Sequence, residues 1–153
     1  MAGPPSPIQI QRVPVQRIID LRHVILRQGL PREAASFHGD DLPSSRHYAA
    51  IDNGRVVGCL TLHQSQWESH PAWQLRGMAT DNERQGQGIG SAMMDWMEAD
   101  LLSDGNASRQ LWCNARVPAR NFYLKLGWQI VSDIFEIPTA GPHVRMIKRI
   151  DNR

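Results

Sequence analysis

The chain predicts an α/β (α+β) domain in which a mixed, mostly antiparallel sheet is flanked by helices. Three observations carry this prediction. Short apolar runs of strand length are interleaved with segments of helical periodicity. The pair Asn53-Gly54 joins two of those runs as a tight hairpin turn does, because both residues tolerate positive φ. Three glycines at every second position, Gly86, Gly88 and Gly90, stand directly before an amphipathic helix. The elements read β-α-α-β-β-β-α-β-α-β-β, with helices between strands but hairpins frequent, so the sheet should be mixed.

Taken in order, the opening MAGPPSP (residues 1–7) is a Pro-rich lead, expected to be disordered. It has neither the basic start nor the apolar stretch of a secretory signal. Residues 8–153 should form one domain. Ile8–Val13 alternates apolar and polar side chains, as a half-buried strand does. Between Pro14 and Gln28, Ile18, Leu21 and Ile25 recur at helical spacing, and Gly29 with Pro31 beyond it ends the segment. PREAASF (31–37) predicts a short second helix, followed by the polar loop HGDDLPSS (His38–Ser45). HYAAID and RVVGCLTLH are strands on either side of the Asp52-Asn53-Gly54 turn. QSQWESHPA reads as a looser polar stretch before the strand Trp73–Thr80. The helix after the glycines carries Ile89, Met93, Trp96, Met97 and Leu101 on one stripe. After the turn SDGNAS comes the strand Arg109–Ala115. VPARNFYLKLG is then a short helix with Pro118 near its start and Gly127 as its stop. WQIVSDIFEI and HVRMIKRI close the chain as two strands, expected to be antiparallel.

Composition narrows the function classes. With 41% hydrophobic and 21% charged residues, the 153-residue chain is ordinary for a globular domain able to bury a core. A formal net charge of +2 is too small to indicate nucleic acid, and no aromatic-basic platform supports such binding. Cys59 and Cys113 each sit inside a strand-like run with no CxxC pair or metal-ligand spacing. They read as buried thiols in a reducing compartment. No apolar segment reaches the roughly 18 residues of a membrane span. The expected setting is the cytoplasm, with no metal.

The glycine run needs a backbone reason, because glycine weakens a helix and packs nothing. The P-loop pattern G-x-x-x-x-G-K-[ST] is absent, and the spacing G-x-G-x-G does not match the dinucleotide pattern G-x-G-x-x-G. The physics shared by those two sites still applies. Glycines let successive N–H groups converge, and the helix start adds unbonded N–H groups and positive dipole. The bland alternative is a tight strand-to-helix turn that binds nothing. Three alternating glycines opening a helix, preceded by Arg84 and Gln85, favour a phosphate cradle.

Gln85-x-x-Gly88-x-Gly90 resembles the [QR]-x-x-G-x-[GA] signature of the GNAT superfamily of acyl-CoA-dependent N-acyltransferases. LRGMATDNERQGQGIG is similar to the strand and pyrophosphate loop of that family, and NARVPARNFYLKLGW (Asn114–Trp128) to its following strand end and helix. GPHVRMIK (Gly141–Lys148) resembles the last strand of ElaA-type members. The resemblance extends over nearly the whole chain from Ile8 onward and implies the GNAT fold and acetyl-CoA as cosubstrate. It implies that Met78, Ala79 and Thr80 offer main-chain groups to the pantetheine amides as if the cofactor were an added strand. The N–H groups of Gln85, Gly86, Gln87, Gly88, Ile89, Gly90 and Ser91 would surround the pyrophosphate. Arg84, with Arg116, Arg120 or Lys125, could meet the nucleotide phosphates, although exposed basic residues are commonly just solvated. Asn114 and Asn121 would lie near the pantetheine or thioester, with turn and helix capping as their alternative roles.

Amide formation from a thioester needs a neutral amine, a polarised carbonyl and a protonated leaving sulfur. A backbone N–H in Met78–Thr80 would polarise the carbonyl. Tyr123 occupies the family's tyrosine position and would give its proton to the thiolate as general acid, leaving Phe122 as the core aromatic. Several family members have a glutamate as base on the strand before the glycine loop, where this chain has Gln74. An amide cannot take that proton, so the candidates become Glu68, His63, His70 and His143, the last as base or cleft residue. Glu33, Asp40, Asp41 and Glu136 could attract a cationic amine, although acidic loop residues are usually only solvated. The expected function is N-acetyl transfer from acetyl-CoA to a primary amine by direct attack, with no covalent enzyme intermediate. The rival is a non-catalytic acyl-CoA-binding regulatory module, motivated by the missing glutamate and opposed by Tyr123. Expected partners are acetyl-CoA and an amine, without nucleic acid or membrane; a homodimer is left open.

Overall fold

A computed structural model describes residues 7–151, so the expected disordered lead lies outside the described residues apart from the exposed Pro7. The chain divides into two compact units, one running to His63 together with Gly77–Met97, the other Gln64–Arg76 with the chain from Glu98 on. The strands β3 (Arg55–Trp67) and β4 (His70–Thr80) and the helix α2 (Ile89–Ser103) pass from one unit into the other.

In the first unit, β1 (Gln9–Arg12), β2 (Arg46–Asp52) and the first part of β3 pair antiparallel in sequence order of position, β1-β2-β3. The turn between β2 and β3 places Asn53 at φ 50° and Gly54 at φ 80°, as an Asn-Gly hairpin turn requires. The helical segment expected over 14–28 is a 3-10 turn, Val15–Arg17, followed by α1 (Ile19–Leu26). Leu21 and Ile25 of α1 pack on a cluster of Val13, Ile18, Ala49, Ile51, Cys59 and Ala79, which lies on one face of the strands. The second helix expected in PREAASF is only a 3-10 turn, Arg32–Ala35. A segment this short gains too few hydrogen bonds to offset helix nucleation.

The first turns of α2 bury Ile89, Met93, Met94 and Met97. Trp96, expected on that stripe, is 38% exposed and packs edge-on against Tyr48 at 5.8 Å between ring centroids. At 100° per residue the buried arc of α2 centres on Met93, Met97 and Leu101 and takes in Met94, which leaves Trp96 at its edge.

In the second unit, β5 (Gln110–Arg116) runs parallel to β4, and β8 (Gly141–Arg149) is antiparallel to β5. The far edge of β8 pairs antiparallel with β6 (Gln129–Ile130) and β7 (Phe135–Ile137). The sheet pairing is therefore mixed and mostly antiparallel, as expected. Two differences stand out. QSQWESHPA is no loose stretch: β3 continues to Trp67 and β4 begins at His70, around Glu68 and Ser69 at φ 50° and 67°. Neither residue favours positive φ, so strand pairing imposes this turn against local preference. WQIVSDIFEI is also two short strands rather than one. Between them Ser132 Oγ accepts the Arg145 N–H at 2.7 Å, so a side chain replaces main-chain pairing and the strand breaks there.

The chain from β5 to β6 forms a 3-10 turn, Val117–Ala119, and α3 (Arg120–Lys125). Leu111, Cys113 and Ala115 of β5 and Val144 and Met146 of β8 form the buried side of this part of the sheet. Burial pushes the Cys113 thiol up to about 12, and that of Cys59 in the first unit likewise, so both are inert thiols.

Candidate functional site

The parallel ladder between β4 and β5 runs over Trp73, Gln74 and Leu75. Two residues later Gly77 takes φ 63°, a left-handed conformation that favours glycine. A Cβ there would stand 2.9 Å from Arg22 Nε and 3.0 Å from the Phe37 ring. The main chain of Met78, Ala79 and Thr80 thus continues past the end of the parallel ladder and past the positive-φ glycine. Ala79 is buried in the core cluster of the first unit, while Met78 and Thr80 are half-buried.

The chain then enters the loop Asp81–Gly88. Asp81 caps it: its Oδ1 accepts from the Glu83 N–H at 3.0 Å, and its other oxygen pairs with Arg55 at 2.7 Å. Gln85 Nε2 donates to Thr80 O at 3.3 Å and Asn82 Oδ1 at 3.2 Å. Arg84 Nη1 pairs with Asp52 at 2.7 Å and its Nε donates to Gln87 Oε1 at 3.0 Å. Arg84 is therefore a brace of the loop, held between a strand end and the glycine segment. Gly86 and Gly88 take φ 76° and 81°. A Cβ on either would meet nothing within 4 Å, so the backbone turn, not crowding, demands glycine. Gly90 differs from these two, being already helical in α2. The Ala92 N–H bonds Gly88 O at 3.0 Å, so Ile89, Gly90 and Ser91 precede the first such helix bond. Gln85, Gly86, Gln87 and Gly88 are exposed and Ile89 is buried as the anchor of the turn. A braced, exposed turn that opens a helix is suited to an anion held by main chain.

Asp40, weighed as an attractor of a cationic amine, is instead buried in a polar network of the same unit. Arg22 Nη1 donates to it at 2.6 Å, His63 Nε2 at 2.9 Å and the Phe37 N–H at 2.8 Å. Burial alone would raise its carboxyl, but these hydrogen bonds and the Arg22 charge outweigh it and hold the group well below the carboxylate range. Glu33, Asp41 and Glu136 are exposed. Arg22 Nη2 also donates to Thr61 Oγ1 at 2.7 Å, and the Thr61 hydroxyl in turn meets His47 Nδ1 at 2.8 Å. His47 Nε2 lies 3.0 Å from Asp40 O and must donate to that carbonyl. His47 is thus a neutral ring with its proton on Nε2. Burial lowers its pKa, the Asp40 contacts oppose this, and the Arg22 charge reinforces it. Unfolded His47 binds a proton more readily, so stability should fall as pH drops below 6.5. The Asp40 contribution, present above about 4, is lost at still lower pH. His47→Gln should flatten the pH 7 to 5 portion of a thermal-midpoint profile, and equal losses in both proteins would refute the burial argument.

In the second unit, Asn114 and His143 share one face of the β5–β8 ladder, since Asn114 is opposite Arg145 and Arg116 opposite His143. Asn114 Oδ1 accepts from Arg145 Nε at 3.2 Å, a side-chain role and not the turn cap its type suggests. Asn121 is exposed on α3, whose N-cap is Ala119 with no side-chain cap. His143 is buried and meets its own strand's Gly141 O through Nδ1 at 2.8 Å. That bond fixes the proton on Nδ1 and leaves Nε2 as the basic nitrogen of the neutral ring. His70 Nδ1 meets Glu68 O at 2.9 Å, so both of these base candidates belong to an exposed hairpin turn.

Tyr123, not Phe122, is the inward aromatic of α3. It is 8% exposed, with its ring edge-on to Phe122 at 5.3 Å and to Trp128 at 5.4 Å. The reason is the helix stop: Gly127 turns the chain back and the Trp128 N–H bonds Tyr123 O at 3.1 Å, which sets the indole edge-on to the phenol. Burial, with the nearby Cys113 adding to it, raises the phenol well above its ordinary value.

One group escaped the sequence reading. The Arg145 guanidinium lies between two aromatic rings, 5.4 Å from the Trp112 centroid and 5.5 Å from that of Phe135. Trp112 is itself fixed by donating to Ser65 Oγ at 3.3 Å. The signal was the alternation of Trp112, Asn114 and Arg116 with buried neighbours, but the pairing partner was not readable from it.

Comparison with known proteins places these features in a family. The profile of the acetyltransferase (GNAT) domain matches residues 43–130. The chain is 30% identical over 146 residues to the uncharacterized N-acetyltransferase YitI of Bacillus subtilis (strain 168), covering 94% of this chain and 97% of that one. Among solved structures, Escherichia coli ElaA shares the fold with a TM-score of 0.76 at 16% identity, over 93% of this chain and all of that chain (100%). An aminoglycoside 6'-N-acetyltransferase complexed with coenzyme A does so with a TM-score of 0.73 at 18% identity, over 95% and 98%. With a braced glycine turn at the start of α2, this chain belongs to the GNAT superfamily and is an acyl-CoA-dependent N-acyltransferase.

Proposed function

We propose that the protein transfers an acetyl group from acetyl-CoA to a primary amine by direct attack of the amine on the thioester, within a domain of residues 8–153. The observation that carries this reading is the turn with Gly86 and Gly88 at positive φ, braced from Asp81 to Gln87 and leading into unbonded N–H groups of α2. The residues present fit a diphosphate, because a Cβ at either glycine would project into open space that an anion can use. The coenzyme A bound by the aminoglycoside 6'-N-acetyltransferase of the same fold supports the choice of cofactor.

The N–H groups of Gln85 to Ser91 grip the pyrophosphate, with Arg84 bracing the loop through Asp52 and Gln87. Met78, Ala79 and Thr80 run alongside the pantetheine, and a main-chain N–H among them polarises the thioester carbonyl. The amine nitrogen bonds to the carbonyl carbon, its proton leaves to a base for which His143 Nε2 is the open nitrogen, and the C–S bond breaks. Tyr123 gives its proton to the departing sulfur. Asn114 and Asn121 orient the pantetheine end. The decisive experiment measures free-thiol release from acetyl-CoA with a panel of primary amines, beside calorimetric binding of coenzyme A. Thiol release that depends on amine is expected. Tight binding without release for any amine would instead identify a non-catalytic acyl-CoA-binding module.

A further inference from the structure

One face of the sheet in the second unit gathers aromatic and basic side chains. Residues directly opposite across a ladder share a face, so Trp112, Asn114 and Arg116 lie on one side with Ile147, Arg145 and His143. Phe135 joins them opposite His143, and Gln74 beside Trp112. The charged residues at positions on this face in β4, β5, β7 and β8 are basic: Arg76, Arg116, Arg145 and Arg149, with His70 and His143. No Asp or Glu occupies such a position; Glu136 alternates to the other side of β7.

Arg145 is the best-defined of these groups. Its Nε is tied to Asn114, its Cζ lies over the Trp112 and Phe135 rings, and its main-chain N–H is held by Ser132. The two terminal nitrogens make no hydrogen bond to any described residue and are not buried. A guanidinium fixed at one end and open at the fork is organised for a planar or tetrahedral anion. His143 is two residues along the same strand, about 7 Å away by strand geometry. Its Nδ1 is tied to Gly141 O, which leaves Nε2 toward a proton donor.

We infer that the acceptor is a small amine bearing an acid group, carboxylate or phosphonate, a few bonds from its nitrogen, and that Arg145 binds the acid. This rests on the acetyl-transfer reading above. A polyamine or other multiply cationic acceptor would find no counter-charge on this face.

The test is steady-state acetylation of β-alanine, 2-aminoethylphosphonate, ethanolamine and putrescine by the full chain and by Arg145→Gln and Arg145→Lys. At least one acid-bearing amine should exceed ethanolamine and putrescine in kcat/KM by about 10-fold or more, and the comparison between the first two separates carboxylate from phosphonate. Arg145→Gln should abolish that margin by raising KM for the acid-bearing amine with ethanolamine little changed. Arg145→Lys should retain part of it. Unchanged coenzyme A binding, measured by calorimetry, verifies that each variant is folded. Preference for the neutral or dicationic amine, or equal loss toward all amines in Arg145→Gln, overturns the inference while acetyl transfer stands. Absence of turnover with every amine overturns both.

Discussion

Gly88→Val is expected to weaken coenzyme A binding by about 100-fold or more, roughly 2.7 kcal/mol, in a protein that still folds. The argument has two parts. At φ 81° a β-branched residue is a conformational outlier, so the turn must shift and carry its N–H groups away from the bound diphosphate. Nothing in the protein stands within 4 Å of the missing Cβ, so the side chain causes no internal clash and the core need not respond. Its methyl groups would occupy the exposed space in front of the loop. Calorimetry with coenzyme A, alongside a thermal melt, separates the two effects. Gly88→Ala should lie between the wild type and valine, being strained but small. Undiminished affinity in a folded Gly88→Val protein would remove the phosphate cradle from the account.

Tyr123→Phe should lower kcat by about 100-fold or more with coenzyme A affinity nearly unchanged. The ring supplies the packing against Phe122 and Trp128, and phenylalanine keeps it. Only the hydroxyl is lost. Burial holds the phenol protonated throughout the working pH range, so the proton is always present to be given. The same burial makes it a reluctant donor in isolation. A thiolate expelled into a dry site is made more basic by the same desolvation, as the Cys113 thiol, pushed up to about 12, illustrates in this unit. Desolvation thus raises both proton affinities in the same direction. Equal turnover in both proteins would reduce Tyr123 to a core aromatic. A fall in stability without a change in kcat would do the same.

Much of the site was legible because its determinants are local. Gly86 and Gly88 are demanded by backbone dihedrals within a few residues, and Asn53-Gly54 likewise encodes its own turn. Phe122 and Tyr123 show the limit. They are adjacent on a six-residue helix, and which of them turns inward depends on Trp128 folding back from Gly127. Asp40 reads as a solvated acid in a polar loop, HGDDLPSS, until Arg22 and His63 arrive from elements 18 and 23 residues away. The Glu68–Ser69 hairpin is likewise carried by strand pairing and not by its own residues.

Periodicity and positive-φ positions are properties of short segments, so the family, most of the element order and the Gly86–Gly88 turn are legible along the chain. The packing of Arg145 on Trp112 and Phe135, the role of Asp40 as an internal counter-ion and the burial of Tyr123 are not. Each of these depends on ladder register or on contacts between distant segments, and a shift of one residue in register would move every such side chain to the opposite face.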